Sequence, residues 1–227
     1  QTWVLKRGNP QLRGEEVKPA FPQILTPPAV QVPPNYGNDK QTTGKRRVLA
    51  EWIASKDNPM TAKVMANRLW QHHFGRGIVR SSNNFGHIGD QPTHPTLLNW
   101  LAAELIEGGW KLKRMHKLIM MSRTYQMSST GNKTGIAADP NNDLFWRFDM
   151  RRLAAEEIRD SILNLTGQLK LKMAGPSIYT EIPSEVAKTA SRPGGAWGRS
   201  SKEDAARRSV YIFVKLSLHE PFLASFD

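Results

Sequence analysis

The chain has 227 residues, 39% hydrophobic and 23% charged, a globular composition that excludes a disordered polyelectrolyte. It contains no cysteine, which excludes a disulfide framework, a thiolate nucleophile, a CxxCH haem attachment and sulfur-ligated zinc. The apolar runs are a handful of residues long where a membrane helix needs about 20, so no membrane span is expected. The formal charge of +12 suits either a solvated basic face or a polyanionic partner.

Residues 1–44 are rich in proline, and Pro27-Pro28 and Pro33-Pro34 force extended backbone. They are expected to form a strand or two and then a strap packed on a body that spans 45–227. From Lys45 the pattern turns helical, with Val48, Leu49, Trp52 and Ile53 at helical spacing. Asn58-Pro59 then supplies an N-cap and a first-turn proline for a helix over 59–74. In that helix Ala62, Met65, Ala66, Leu69, Trp70, His73 and Phe74 make one apolar stripe, and Gly75 ends it. A turn through Gly75-Arg76-Gly77 into a short extended piece follows, with a polar loop over 80–93.

Thr93-His94-Pro95 opens the next helix, whose inner stripe is Leu97, Leu98, Leu101, Ala102, Leu105 and Ile106. Gly108-Gly109 stops it, and a helix from Lys113 buries Met115, Leu118, Ile119 and Ser122. After a loop over 128–142, a long helix is expected over 149–166 with Ala154, Ile158, Ser161, Ile162 and Leu165 inward. Residues 169–202, including Arg192-Pro193-Gly194-Gly195, read as a long irregular loop. Residues 209–215 are dense in β-branched and aromatic side chains and read as a strand, with residues 2–5 as a plausible partner. The expected class is mainly α: an orthogonal multi-helix bundle, a small β element from the N- and C-terminal segments, and long irregular loops.

No phosphate loop, nucleophile elbow or HExxH pair is present. The candidates for chemistry are dispersed. Arg68 and His72 lie four apart on one flank of the 59–74 stripe with Asn67 on the other, a set able to bind an anion or position a carboxylate. The competing reading is that His72 and His73 simply cap a helix C-terminus. His94, held extended before Pro95, is either a base or an ordinary N-cap. His87 could join it at a metal, but no third ligand stands at a diagnostic spacing, so no metal is expected. Arg151, Arg152, Glu156, Arg159 and Asp160 form a charged ladder whose arginines keep the carboxylates ionised, which suits a structural network better than acid–base work. Catalysis, if present, would fall to His72, His94 and Asp160. Ligand binding would use Asn67, Arg68, His72, His94, Arg152, Glu156 and Arg159. Lys111, Lys113, Arg114, Lys117 and Arg123 form an acid-free basic stretch that reads as a solvated helical face or as a site for a polyanion, a sulfated glycan or nucleic acid; Trp110 and Tyr125 beside it fit helix packing better than base stacking, which counts against nucleic acid.

Several runs together resemble a known family: Leu49-Ala50-Glu51-Trp52-Ile53, Asp57-Asn58-Pro59, the stretch from Asn67 to Val79, Asn84-Phe85-Gly86, His94-Pro95-Thr96-Leu97-Leu98-Asn99-Trp100, Met115-His116-Lys117, Ser122-Arg123-Thr124-Tyr125, Asp139-Pro140-Asn141-Asn142, Arg151-Arg152-Leu153 and Arg207-Arg208-Ser209-Val210-Tyr211. The resemblance is to domain-of-unknown-function family 1553. It implies a C-terminal module of a large secreted planctomycete-type protein with a cytochrome-c-like domain upstream. On that basis the location is extracytoplasmic, the partners are the upstream domains, and any haem lies outside this stretch, which itself carries no cofactor. The family usually runs on past Asp227, so the end reads as truncated. The expected function is a non-catalytic binding or scaffolding module, with a hydrolase using a His/Arg/Asp cleft and polyanion binding as alternatives.

Overall fold

The structure, a computed structural model, describes residues 2–25, 27–33, 43–188 and 197–226. Pro34 and the Arg192-Pro193-Gly194-Gly195 run lie outside them. Among the described residues nine helices stand against one two-stranded sheet, so the fold is mainly α with a small β element. No described helix is long and apolar enough to cross a membrane. The chain divides into two compact units, Gln1–Met150 and Arg151–Asp227.

In the first unit β1 (Thr2–Leu5) pairs antiparallel with β2 (Arg13–Val17), Thr2 opposite Val17 and Leu5 opposite Arg13. The expected pairing of residues 2–5 with 209–215 is thus corrected. A partner a few residues away closes a much shorter loop, and loop closure costs more as the loop lengthens. Farther on, Phe21 stacks on Trp52 with ring centroids 4.4 Å apart and planes 9° apart, which lays the proline-rich segment on α1 (Lys45–Ile53).

The helix α2 (Pro59–Phe74) starts where expected, with the Asn58 side chain accepting the Met60 N–H at 3.1 Å, and ends at Gly75 with φ 81°. It buries Ala62, Ala66, Leu69, Trp70 and Phe74, with Met65 and His73 half-buried. The helices α3 (Pro95–Glu107) and α4 (Leu112–Met120) contribute Leu98, Leu101, Ala102, Leu105, Met115 and Ile119. Ile78, Val79 and Phe145 complete a single core, in which each large aliphatic side chain stabilises by about 1.5–3 kcal/mol. A short helix, α5 (Lys133–Ala138), lies in the expected 128–142 loop, nucleated by the Asn132 side chain accepting the Gly135 N–H at 2.7 Å.

The second unit carries α6 (Ala155–Leu165), α7 (Ser184–Lys188), α8 (Lys202–Ala205) and α9 (Pro221–Ala224). The helix α6 begins six residues later than the expected 149, because Arg151, Arg152, Leu153 and Ala154 are not helical. Its expected inner stripe is corrected as well: Ile162 is 46% exposed and Leu165 is 86% exposed, while Ile158 and Leu163 are half-buried. The expected strand over 209–215 is instead a 3₁₀ turn, Ser209–Tyr211, followed by one parallel bridge from Ile212 to Ile178. Val210 and Val214 are exposed there, so the β-branched pattern records local stiffness without a sheet to join.

Candidate functional site

The flank of α2 holds the first polar constellation. Asn67, with no exposed surface, accepts the Val79 N–H at 2.8 Å and donates to the Val79 carbonyl at 3.0 Å. That pair of bonds does for residue 79 what a neighbouring strand would do, and it pins the extended segment after the turn onto the helix. Gly77 is required by the same contact, since a Cβ there would lie 2.5 Å from the Asn67 amide nitrogen and from the Val79 carbonyl. Arg68, one residue on, is exposed and donates to Asn83 Oδ1 at 3.0 Å. His72 faces solvent.

The turn also aims Arg76 at the loop that follows α5. Its guanidinium donates to the carbonyls of Asn141 and Asn142, pairs with Asp143 at 3.2 Å and lies over the Phe145 ring at 5.1 Å. Burial pushes this guanidinium below its ordinary value, against the opposing pull of Asp149 and Asp139. The loop closes on itself as well. Asp139 accepts the N–H groups of Asp143 at 2.9 Å and Leu144 at 2.8 Å, and the Asn142 amide bonds Arg147 in both directions. Those bonds hold Asn142 and Phe145 in the left-handed region, each at φ 54°, a conformation that costs roughly 1–2 kcal/mol for a side-chain-bearing residue. Arg80 joins through Asp143, and Arg147 through Asp149 at 3.3 Å.

A histidine pair ties α2 to α4. His73 Nε2 and His116 Nδ1 lie 2.9 Å apart, one ring donating and the other accepting, and the edge of Tyr125 packs on His73 with centroids 5.5 Å apart. His94 sits at the N-cap of α3, half-buried, without a capping bond; its Nδ1 meets Thr93 Oγ1 at 2.9 Å and its ring tilts against Phe145. His87 is exposed. No hydrogen bond or ring contact joins Arg68, His72 and His94 to one another. Among the described residues no group of three histidine, cysteine, aspartate or glutamate side chains converges as a metal site. In the basic stretch Lys111, Lys113, Lys117 and Arg123 are exposed, whereas Arg114 is engaged by the Glu104 carboxylate and carbonyl.

In the second unit the expected ladder of alternating charge is corrected. Arg152 precedes α6 and so cannot stand one turn below Glu156; both are exposed. Arg151 pairs instead with Glu157 at 2.9 Å, and Glu157 reaches back to accept the Ala154 N–H at 2.8 Å. Arg159 and Asp160 work on a separate task. Arg159 donates to the carbonyls of Ala205 at 2.6 Å and Arg207 at 3.2 Å and to Ser209 Oγ at 3.1 Å, and Asp160 accepts the Ser209 N–H at 2.7 Å. Burial lowers the Arg159 guanidinium, with Asp160 pulling the other way. Arg207, 2% exposed, donates to the carbonyls of Lys172, Ala174 and Pro176 and lies 4.0 Å over the Tyr211 ring, and no ion pair holds it among the described residues.

The same unit contains an open cleft of about 1080 Å³ lined by Tyr179, Glu181, Trp197, Arg199, Ser200 and Lys202 among others. Sequence reasoning treats this stretch as irregular loop. Its signal, a tyrosine and a tryptophan interleaved with cations in glycine- and serine-rich chain, has no periodicity to expose it. Arg76, Arg207 and the His73–His116 pair are likewise unassigned by sequence reasoning, although Arg76 stands between two glycines and His116 and Arg207 lie in the family-like runs.

Searches of curated proteins and of solved structures return no match for the chain. Residues 45–227 match the family model described as PSD1, protein of unknown function (DUF1553), and the chain belongs to that family.

Proposed function

We propose that the chain is a non-catalytic binding module of a larger extracytoplasmic, cytochrome-c-associated protein, and that ligands enter the cleft of the second unit. One observation carries this reading: three of the side chains that sequence logic marks for chemistry terminate on the chain's own backbone. Asn67 is spent on Val79, and Arg159 and Asp160 on residues 205–209. A catalytic acid or base needs a substrate atom within about 3 Å or one water, and side chains already bonded to buried peptide groups have little capacity for that. The cleft differs. Its side chains Glu181, Arg199 and Lys202 make no hydrogen bond or ion pair among the described residues, and aromatic rings stand beside them. Concave sites with aromatic walls and a few polar groups are the usual form of ligand pockets.

The test combines a thermal-shift screen of saccharides, peptides and nucleotides with turnover assays on chromogenic esters, glycosides and phosphate esters. Binding without turnover is expected. Turnover that disappears in His94→Ala or His72→Ala overturns the reading in favour of a hydrolase.

A further inference from the structure

We infer that the cleft of the second unit takes an acidic saccharide, a chain of sugar rings bearing sulfate or carboxylate groups; this assignment rests on the binding-module reading above. Three features of the cleft point there. Its volume, about 1080 Å³, lies just above the range of roughly 300–1,000 Å³ typical of ligand pockets. That is room for several rings and far more than one anion needs.

The aromatic wall is set before any ligand arrives. The Tyr179 N–H donates to Ser200 Oγ at 2.9 Å, and its ring meets Trp197 edge-on with centroids 5.6 Å apart and leans on Phe213 at 5.1 Å. The Trp197 indole N–H donates to the Thr180 carbonyl at 2.8 Å. Gly198 is the residue this packing demands, because a Cβ there would sit 2.7 Å from the Tyr179 ring. Rings held this way lose little freedom on binding. Both remain partly exposed, and a partly exposed ring suits the C–H face of a pyranose.

The charges are mixed. Arg199 and Lys202 are exposed cations without partners among the described residues, and Glu181 is an exposed carboxylate in the same state. Two cations match one or two sulfate or carboxylate groups through charge-assisted bonds, while Glu181 accepts from sugar hydroxyls. A continuous phosphate backbone would meet Glu181 at close quarters. A ligand with an apolar ring face, hydroxyl donors and sparse anionic groups matches the two rings and the three charged side chains of the lining.

The experiment uses the full chain, with a sulfated galactan tetrasaccharide and its desulfated counterpart as probes, read by calorimetry and tryptophan fluorescence. Polyphosphate and poly-glutamate serve as charge-only competitors. The sulfated probe is expected to bind, and Arg199→Gln with Lys202→Gln to weaken it about tenfold or more, the scale of losing charge-assisted hydrogen bonds. The affinity should fall with salt along a shallow slope of about two charges. Trp197→Phe should diminish the fluorescence response, whereas Lys111→Gln, Lys113→Gln and Lys117→Gln together should leave binding unchanged. Equal binding of the desulfated probe, equally tight polyphosphate or poly-glutamate, or no loss in the Arg199/Lys202 variant overturns the acidic-saccharide assignment. If a neutral saccharide or a peptide then protects residues 179–188 and 197–205 from hydrogen exchange, the binding-module reading survives that loss. If no probe protects them, both fall.

Discussion

Replacing Asn67 with alanine separates a structural role from a ligand-binding one. The side chain is fully buried and makes both an acceptor and a donor bond to Val79, itself 2% exposed. Asn67→Ala strands one N–H and one carbonyl, each costing about 1–3 kcal/mol when left unpaired. The space vacated is near the size of one water, which can recover part of that cost. The expected destabilisation is therefore about 2–5 kcal/mol, and at roughly 2–4 °C per kcal/mol the melting temperature should drop by roughly 4–20 °C. Urea denaturation followed by tryptophan fluorescence gives the energy, and hydrogen exchange at Ile78 and Val79 locates it. Asn67→Asp adds a sign test. A carboxyl buried at this position has its folded pKa raised by desolvation above the unfolded value of about 3.9. Its protonated form can donate to the Val79 carbonyl as the amide does, so the variant is relatively stable at low pH and loses stability as pH rises through the raised value. A loss below about 0.5 kcal/mol for Asn67→Ala, or an Asn67→Asp penalty indifferent to pH, would refute the structural role and return Asn67 to the ligand-binding candidates.

Arg76→Ala removes the donor set on the Asn141 and Asn142 carbonyls, and about 2–4 kcal/mol of destabilisation is expected. Arg76→Lys should recover only a minor part because a single ammonium cannot reproduce the fork. Denaturation curves of the two variants check both statements. Arg207→Met leaves three carbonyls without their guanidinium and should cost at least about 2 kcal/mol, with raised hydrogen exchange at residues 205–212. Asp160→Asn keeps an acceptor for the Ser209 N–H and should cost less than about 1 kcal/mol, whereas Asp160→Ala should cost about 1–3 kcal/mol. Comparison of these two variants in urea decides whether the bond or the charge matters. The Arg151 guanidinium and the Ala154 N–H hold Glu157 below the ordinary glutamate value of 4.5. Its stabilisation is therefore present above that value and lost as pH falls through the lowered one. Because the pair is exposed, the effect is below about 1 kcal/mol, and Glu157→Gln should flatten the acid limb of the stability profile between about pH 5 and 3.

What could be read from the sequence follows from the range of each interaction. The α2 helix was legible because its N-cap, first-turn proline, apolar period and terminal glycine are all local, and each points to the same boundaries. The α6 boundary and face were not. The residues 149–154 carry a helical pattern, but Glu157 engages both Arg151, six residues before it, and the Ala154 N–H, three residues before it, and this cap fixes the start at Ala155. The face is chosen by Arg159 and Asp160, whose bonds to residues 205–209 turn Ile162 and Leu165 outward. A periodicity argument ranks apolar side chains and gives such polar anchors no weight.

The same reasoning explains the site. Asn67, Arg76, Arg159 and Arg207 each act on backbone carbonyls or N–H groups between twelve and sixty-six residues away. Backbone acceptors are the same at every position, so no residue type in the sequence marks the far end of such a bond. A carboxylate partner would have been visible as a charge pattern, and a carbonyl is not. An arginine that ends on several carbonyls and an aromatic face, as Arg207 does, therefore looks in sequence like an unpaired cation available to a polyanion. Part of the net charge of +12 is of that buried or bonded kind. The cations without a side-chain partner among the described residues, Arg199 and Lys202 among them, are fewer than the composition suggests.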